Sequence, residues 1–422
     1  MVIFVILFVY STIVLHANLQ YAEIPVSEIP KVVKNSYVPV ISALLEMPKI
    51  EVVLNFTGVT LEILNSEYPE VIDLLKLGID KGKFEMTGCG YSHPIFPLLP
   101  VEDMKKQIEF NQKVMEKTLD YKPKGFWLPE LAYDPLLPKV LKTYDFSYVF
   151  IDEELYNLSN PLLNDHNQYN SPYYSATHYI IDFMKAKGII RKLRGFNKAR
   201  KGIKNFCKRT DFSPVELKGV KGTITGVKVP QSWSIFSTAS VLGMPFMKPK
   251  KVAKTLSKFS DSSGLIIPYG TDIEFFGYRS FIEGKLPTEE DLKKLLQKMQ
   301  KIKGFEMILP SKYLEKHKPK DLGYMKTGSW GPSRRLDIWT EDEDNRKLER
   351  LCCEARWYFA HLPETEITEE MWKHLLLAEN SDGRGWDPIP ERRLDCLSNA
   401  YEAIELARER YLERYIRKAP KK

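Results

Sequence analysis

The chain has 422 residues, 43% of them hydrophobic and 28% charged, proportions that exclude a disordered, fibrous or helical-membrane class. Its five cysteines (Cys89, Cys207, Cys352, Cys353, Cys396) are scattered with no CxxC pair, which argues against a disulfide framework or a zinc site and fits a reducing, cytoplasmic compartment. The net charge of +7 is mostly local: residues 185–209 are densely basic without one acid. No nucleic-acid module accompanies that run, so it reads as a solvated face and no nucleic-acid partner is expected.

The first fifteen residues, MVIFVILFVYSTIVL, carry no charge. The run is short for a membrane span and lacks the basic start of an export signal. Its Val, Ile and Phe content predicts a buried β-strand leading into His16. No membrane partner is expected. Further apolar, β-rich runs follow at 50–56, 84–88, 125–130, 146–152, 264–270 and 305–310. Amphipathic helical patterns lie between them, as in VEDMKKQIEFNQKVMEKTL and PTEEDLKKLLQKMQKI. Such alternation means repeated βα units and a mainly parallel sheet, most simply closed into a barrel over residues 1–316.

The texture changes after Leu314, where DLGYMKTGSWGPSRRLD precedes three long helical patterns. A helical bundle over 317–422 is expected beside the barrel. In its last helix Leu394, Leu397, Ile404, Ala407, Tyr411 and Tyr415 read as one apolar stripe.

Catalytic groups of βα barrels emerge from the carboxyl ends of strands, which narrows the candidates to His16, Glu85, Glu130, Asp152 and Asp272. Glu130 follows GFWLP and Asp272 follows GLIIPYGT, so apolar and aromatic neighbours desolvate both. Two such acids from different strands suit glycoside hydrolysis, and a retaining pair stands about 5 to 5.5 Å apart. A strand-end carboxylate also serves as a helix cap. Spacing alone therefore leaves Asp134, Asp152 and Glu274 as rivals.

The segments LHANLQYAEIP, VVLNFTGVTLEIL, GKFEMTGCGYSHPIFPLLP, GFWLPELAYDP and PYGTDIEFFGYR resemble glycoside hydrolase family 57, the largely archaeal α-amylases, 4-α-glucanotransferases and branching enzymes. SWGPSRRLDIW and HLLLAENSDGRGWDP extend the likeness into the helical region. The resemblance implies a seven-unit (β/α) barrel with a helical domain, acting with retention on α-1,4-glucans or maltooligosaccharides. It makes Glu130 the nucleophile and Asp272 the general acid/base. It assigns substrate contacts to His16 and Glu85, and weaker ones to Trp127, Trp330, Asp382 and Trp386. The family's H-x-H-Q-P reads His16-Ala17-Asn18-Leu19-Gln20 here, so the second histidine is Asn18 and the proline is lost. That change puts subsite preference in question.

Two carboxylates need no metal or cofactor for this chemistry, and none is expected. A metal-dependent polysaccharide deacetylase would need an early Asp-Asp pair and a His-x₃-His set, and neither is present. An inactive glucan-binding protein is the remaining alternative, against which the two retained acids argue.

Overall fold

The computed structural model describes residues 8–160, 211–244, 248–259, 264–279, 285–319, 321–331 and 333–418, the last four by backbone only. The basic run 185–209, Cys207 and the first seven residues lie outside them.

Among the described residues, ten short strands make two five-stranded sheets. In the first, β1 (Val9–Ala17) lies between β2 (Val52–Phe56) on one side and β8 (Ile266–Asp272) on the other, with β3 (Phe84–Thr87) outside β2. The start of β1 also pairs with β9 (Phe305–Met307). All these pairings are parallel. The second sheet runs β4 (Gly125–Phe126), β5 (Tyr148–Asp152), β7 (Thr223–Val229), β6 (Val215–Lys218), β10 (Asp321–Gly323). Its β6–β7 pair is antiparallel.

Period-two alternation builds three cores. From β1, Ile13, Leu15 and Ala17 face outward into a large cluster with the flanking helices, while Val14 faces inward. The inward cluster joins Val14 and Val53 of the first sheet to Tyr148, Phe150, Val227 and Val229 of the second. The other faces of β5 and β6 pack Val149, Ile151, Val215 and Leu217 against their own helices. An expected strand at the apolar start is therefore present as β1.

A single bridge, Gly88 to Phe126, joins β3 to β4, and among the described residues no ladder joins β7 to β8. Phe212 also bridges to Gly264 just ahead of β8, and the architecture is a mainly parallel α/β fold in two facing sheets. Past residue 317, β10 returns to pair with β6 before the helices begin. In the last helix (Pro390–Lys418), Leu397, Ile404, Ala407 and Tyr411 of the expected apolar stripe belong to the helical core, and Leu394 does not. The buried face of the helix is Cys396, Ala400, Ala403, Ile404 and Ala407, whereas Leu394 is 61% exposed. Small residues at three- and four-residue steps let the helices Glu343–His361 and Glu369–Ala378 pack against it.

The helical region is bolted onto the first by a buried ionic cluster. Arg356 binds Asp103 at 2.5 Å, Glu349 at 2.6 Å and Glu379 at 2.9 Å. Gln107 donates to the Leu376 carbonyl at 3.0 Å and to Glu379 at 3.0 Å. No described helix is long and apolar enough to cross a membrane.

Candidate active site

At the carboxyl ends of both sheets lies an open cleft with an accessible volume of about 170 Å³. Glu130 and Asp272 both line it, with His16, Tyr21, His93, Trp127 and Trp330.

Asp272 owes its direction to a bulge. Between Ser11 and Ile13 of β1, the partner register on β8 advances from Ile266 to Tyr269, one residue more. Leu265 and Ile267 face the inner core, and the extra residue then sends Tyr269 outward. Gly270 and Asp272 consequently line the cleft. Strict alternation would have turned Asp272 away, since one residue of slip exchanges the faces. The helix Gln231–Val241 staples the bulge: Ser237 donates to the Pro268 carbonyl at 2.6 Å, and Ser234 accepts from Gly270 N–H at 3.0 Å. Two donors converge on Asp272 Oδ2, the Tyr21 hydroxyl at 2.9 Å and Arg279 Nη2 at 2.6 Å. The Arg279 guanidinium also lies 4.1 Å from the Tyr21 ring centroid.

Glu130 comes from a tight 3₁₀ turn, Pro129–Leu131, just past β4. Both Glu130 (φ 55°) and Leu131 (φ 45°) are left-handed, a conformation that costs non-glycine residues on the order of 1 kcal/mol each. The turn is held from outside: Tyr133 and Gly328 exchange backbone bonds at 2.8 and 3.1 Å, and Trp330 N–H donates to the Glu130 carbonyl at 3.3 Å. Two indoles then grip the carboxylate, Trp330 Nε1 at 2.7 Å and Trp386 Nε1 at 3.2 Å, both on Oε2. The two rings stack at 5.3 Å. Although Glu130 keeps some surface at the cleft, burial pushes its carboxyl up to about 7; His93 and the two indole bonds pull against that rise.

His16 ends β1 in one rung with Asn55 on one side and Asp272 on the other. Asn55 donates through Nδ2 to Thr87 Oγ1 at 3.0 Å, so its Oδ1 accepts the Nδ1 proton of His16 at 2.7 Å. That tautomer leaves Nε2 as a buried acceptor without a protein partner. Burial and the neighbouring His93 lower the His16 pKa to about 4, so the ring is neutral near pH 7. His93 stacks on it at 4.8 Å. Burial works to lower the His93 pKa too, but the Asp382 carboxylate at 3.1 Å outweighs it and the net shift is upward.

Trp127 lines the cleft beside Phe150. Glu85, Asp382 and Trp386 are not among the residues that line the cleft. Glu85 lies two residues before the rung, in register with Val53, where Tyr148 donates to one oxygen at 2.7 Å and Ser311 N–H to the other at 3.1 Å. It is buried beneath the cleft and does not line it. Asp382 also lies behind the wall: it accepts from Asn18 Nδ2 at 2.7 Å, from Ala22 N–H at 3.2 Å and from His93. Its geometry is that of a tie between the first loop and the helical region. Trp386 meets the site through Glu130, at the rim.

The rival acids are also engaged. Asp152 caps the helix Glu153–Ser159 and pairs with Arg334. Asp134 caps a turn and accepts from Thr327. Fully buried Glu274 accepts from Asn18 N–H at 2.8 Å and from the Tyr37 hydroxyl. Burial, then the Asp272 charge, raise its pKa to about 7. Tyr21 and Arg279 escaped the sequence reading: nothing local marks a tyrosine past the first motif, or an arginine past the last, as a partner of Asp272.

Two strand-end carboxylates across an indole-walled cleft have the form of a two-carboxylate glycosidase centre. Residues 8–326 match the model of Glycosyl hydrolase family 57, and the chain belongs to that family. A segment of 125 residues (30% of this chain) is 34% identical to an α-amylase of Pyrococcus horikoshii. One of 118 residues (28% of this chain) is 35% identical to a 4-α-glucanotransferase of Thermococcus litoralis. These matches span only 20% and 18% of the relatives' own lengths. Among solved structures, the Thermococcus litoralis 4-α-glucanotransferase superposes with a TM-score of 0.65 at 20% identity, over 94% of this chain and 59% of that one. A family 57 branching enzyme from Pyrococcus horikoshii gives 0.64 at 18% identity, over 96% and 88%. At those identities the likeness concerns the fold.

Proposed function

We propose that the protein cleaves α-1,4-linked glucans by a retaining, α-amylase-type mechanism. The observation that carries this reading is that Glu130 and Asp272, from different sheets, line one cleft. In the first step a Glu130 oxygen attacks the anomeric carbon, and Asp272 protonates the departing glycosidic oxygen. In the second, Asp272 takes a proton from the incoming hydroxyl, which displaces Glu130 from the glycosyl ester. Neutral His16 offers Nε2 to a sugar hydroxyl. Trp127 supplies an apolar ring face for a pyranose. Relatives named 4-α-glucanotransferase favour a second outcome with the same residues, in which a sugar hydroxyl replaces water.

Incubation with maltooligosaccharides tests the proposal. The wild type shortens or rearranges them, and Glu130→Gln loses most of that activity because an amide is a poor nucleophile. Mixed-length products from maltotriose identify transfer, and dominant shortening identifies hydrolysis. An unchanged substrate pool with retained glucan binding would replace the proposal with a binding protein.

A further inference from the structure

Trp330 meets Glu130 twice, side chain to side chain and backbone to backbone, and the question is what holds Trp330. Four residues on, Arg334 donates through Nη1 to the Trp330 carbonyl at 2.8 Å. Its guanidinium is fixed in turn by buried acids at the end of β5: Nη1 lies 3.4 Å from both oxygens of Asp152, and Nη2 pairs with Glu154. Arg334 itself is left-handed (φ 58°), a strain that the surrounding bonds must hold in place. Asp152 is locked by capping Leu155 N–H at 2.7 Å. A continuous path of bonds therefore runs from β5 through Arg334 and Trp330 to the carboxylate on the turn after β4.

We propose that Arg334 is a positioning residue for Glu130: through Trp330 it pins Oε2 and leaves Oε1 as the oxygen that attacks. The inference rests on the two-carboxylate reading of the cleft. Indole N–H groups donate only, so two of them on Oε2 keep a proton off that oxygen and favour the ionised carboxylate. Losing the Trp330 donor removes one of the two indole bonds that, together with His93, oppose the effect of burial. The other charged or titratable groups facing Glu130 are His93 after β3, Asp382 ahead of the last helix, His16 and Tyr21 from the end of β1 and the loop after it, and Asp272 at the end of β8. None of them is bonded to Arg334. A guanidinium matters here because one planar group must serve two acids and a carbonyl at once, which an ammonium does less well.

The test compares Arg334→Gln, Arg334→Lys, Trp330→Phe and the Arg334→Gln/Trp330→Phe double variant. Two quantities are read: kcat and KM on maltooligosaccharides, and the Glu130 titration in substrate-free protein by carbon-13 NMR of labelled glutamate, assigned with Glu130→Gln. Arg334→Gln should lower kcat roughly tenfold, the size of one lost hydrogen bond to a charged group, with KM within about twofold. Its Glu130 midpoint should move upward, and the Lys variant should fall between Gln and wild type. The double variant should be no worse than Trp330→Phe alone, because both changes cut the same path. Wild-type kcat and midpoint in Arg334→Gln, or losses that multiply in the double variant, would overturn the assignment. If Arg334→Gln does not fold, the Lys variant decides on the same midpoint. If the wild type leaves glucans untouched, the mechanistic reading fails while the NMR titration still judges Arg334.

Discussion

Glu274→Gln separates charge from shape at the most buried acid of the site. Glu274 Oε1 accepts from Asn18 N–H and the Tyr37 hydroxyl, and Oε2 has no protein partner. A glutamine carbonyl keeps both accepted bonds, so the substitution chiefly removes the ability to ionise. The pKa rises from 4.5 to about 7 on folding. A carboxyl raised in this way contributes stability that is whole below pH 4.5 and is lost as pH climbs through 7. At 1.36 kcal/mol per unit, the wild type gives up on the order of 3 kcal/mol across that window, and the glutamine variant gives up none of it. Thermal melts of both proteins between pH 5 and pH 8.5 read the difference. The advantage of Glu274→Gln should grow with pH and level off above about pH 7.5. A difference independent of pH, or one that shrinks as pH rises, would show that Glu274 ionises freely in the fold and would refute the reasoning.

Two further outcomes follow from the same bonds. Tyr21→Phe removes one of two donors on Asp272 Oδ2 and should cost about 1 to 2 kcal/mol of transition-state stabilisation, a roughly 5- to 30-fold drop in kcat/KM; unchanged kinetics would make Tyr21 a bystander. Arg356→Met strands Asp103 and Glu379 as buried acids and should destabilise by about 3 to 5 kcal/mol, read by denaturation; an effect below about 1 kcal/mol would mean that the cluster is wetter than its burial implies.

The elements with long, regular patterns were legible in the sequence. Helices such as Val101–Leu119 and Glu343–His361 stand where their periodicity predicts, and so do β2, β3 and β5. β6 and β7 were missed because VELK and TITGVKV mix lysine, glutamate and glycine into short runs. Leu394 was misread because it shares the three- and four-residue spacing of the true face, which small residues beginning at Cys396 define. In the cleft, Glu130 and Asp272 were visible from strand ends and motif flanks. The bulge that turns Asp272 inward was not, since one extra residue in an apolar strand has no signature of its own. Glu85 and Asp382 carried motif positions, yet depth within the sheet and the pairing across the chain decide what they touch. Tyr21 and Arg279 reach Asp272 across 251 and 7 residues, and neither separation has a local pattern.

The identity of the attacking carboxylate is the claim on which the rest depends. A fluorinated α-glucosyl fluoride that forms its glycosyl ester faster than it hydrolyses, followed by peptide mass mapping, reads it directly. The label should sit on Glu130, with retained anomeric configuration in products of the normal substrate. A label on Asp272, or inverted products with no labelled carboxylate, would contradict the account.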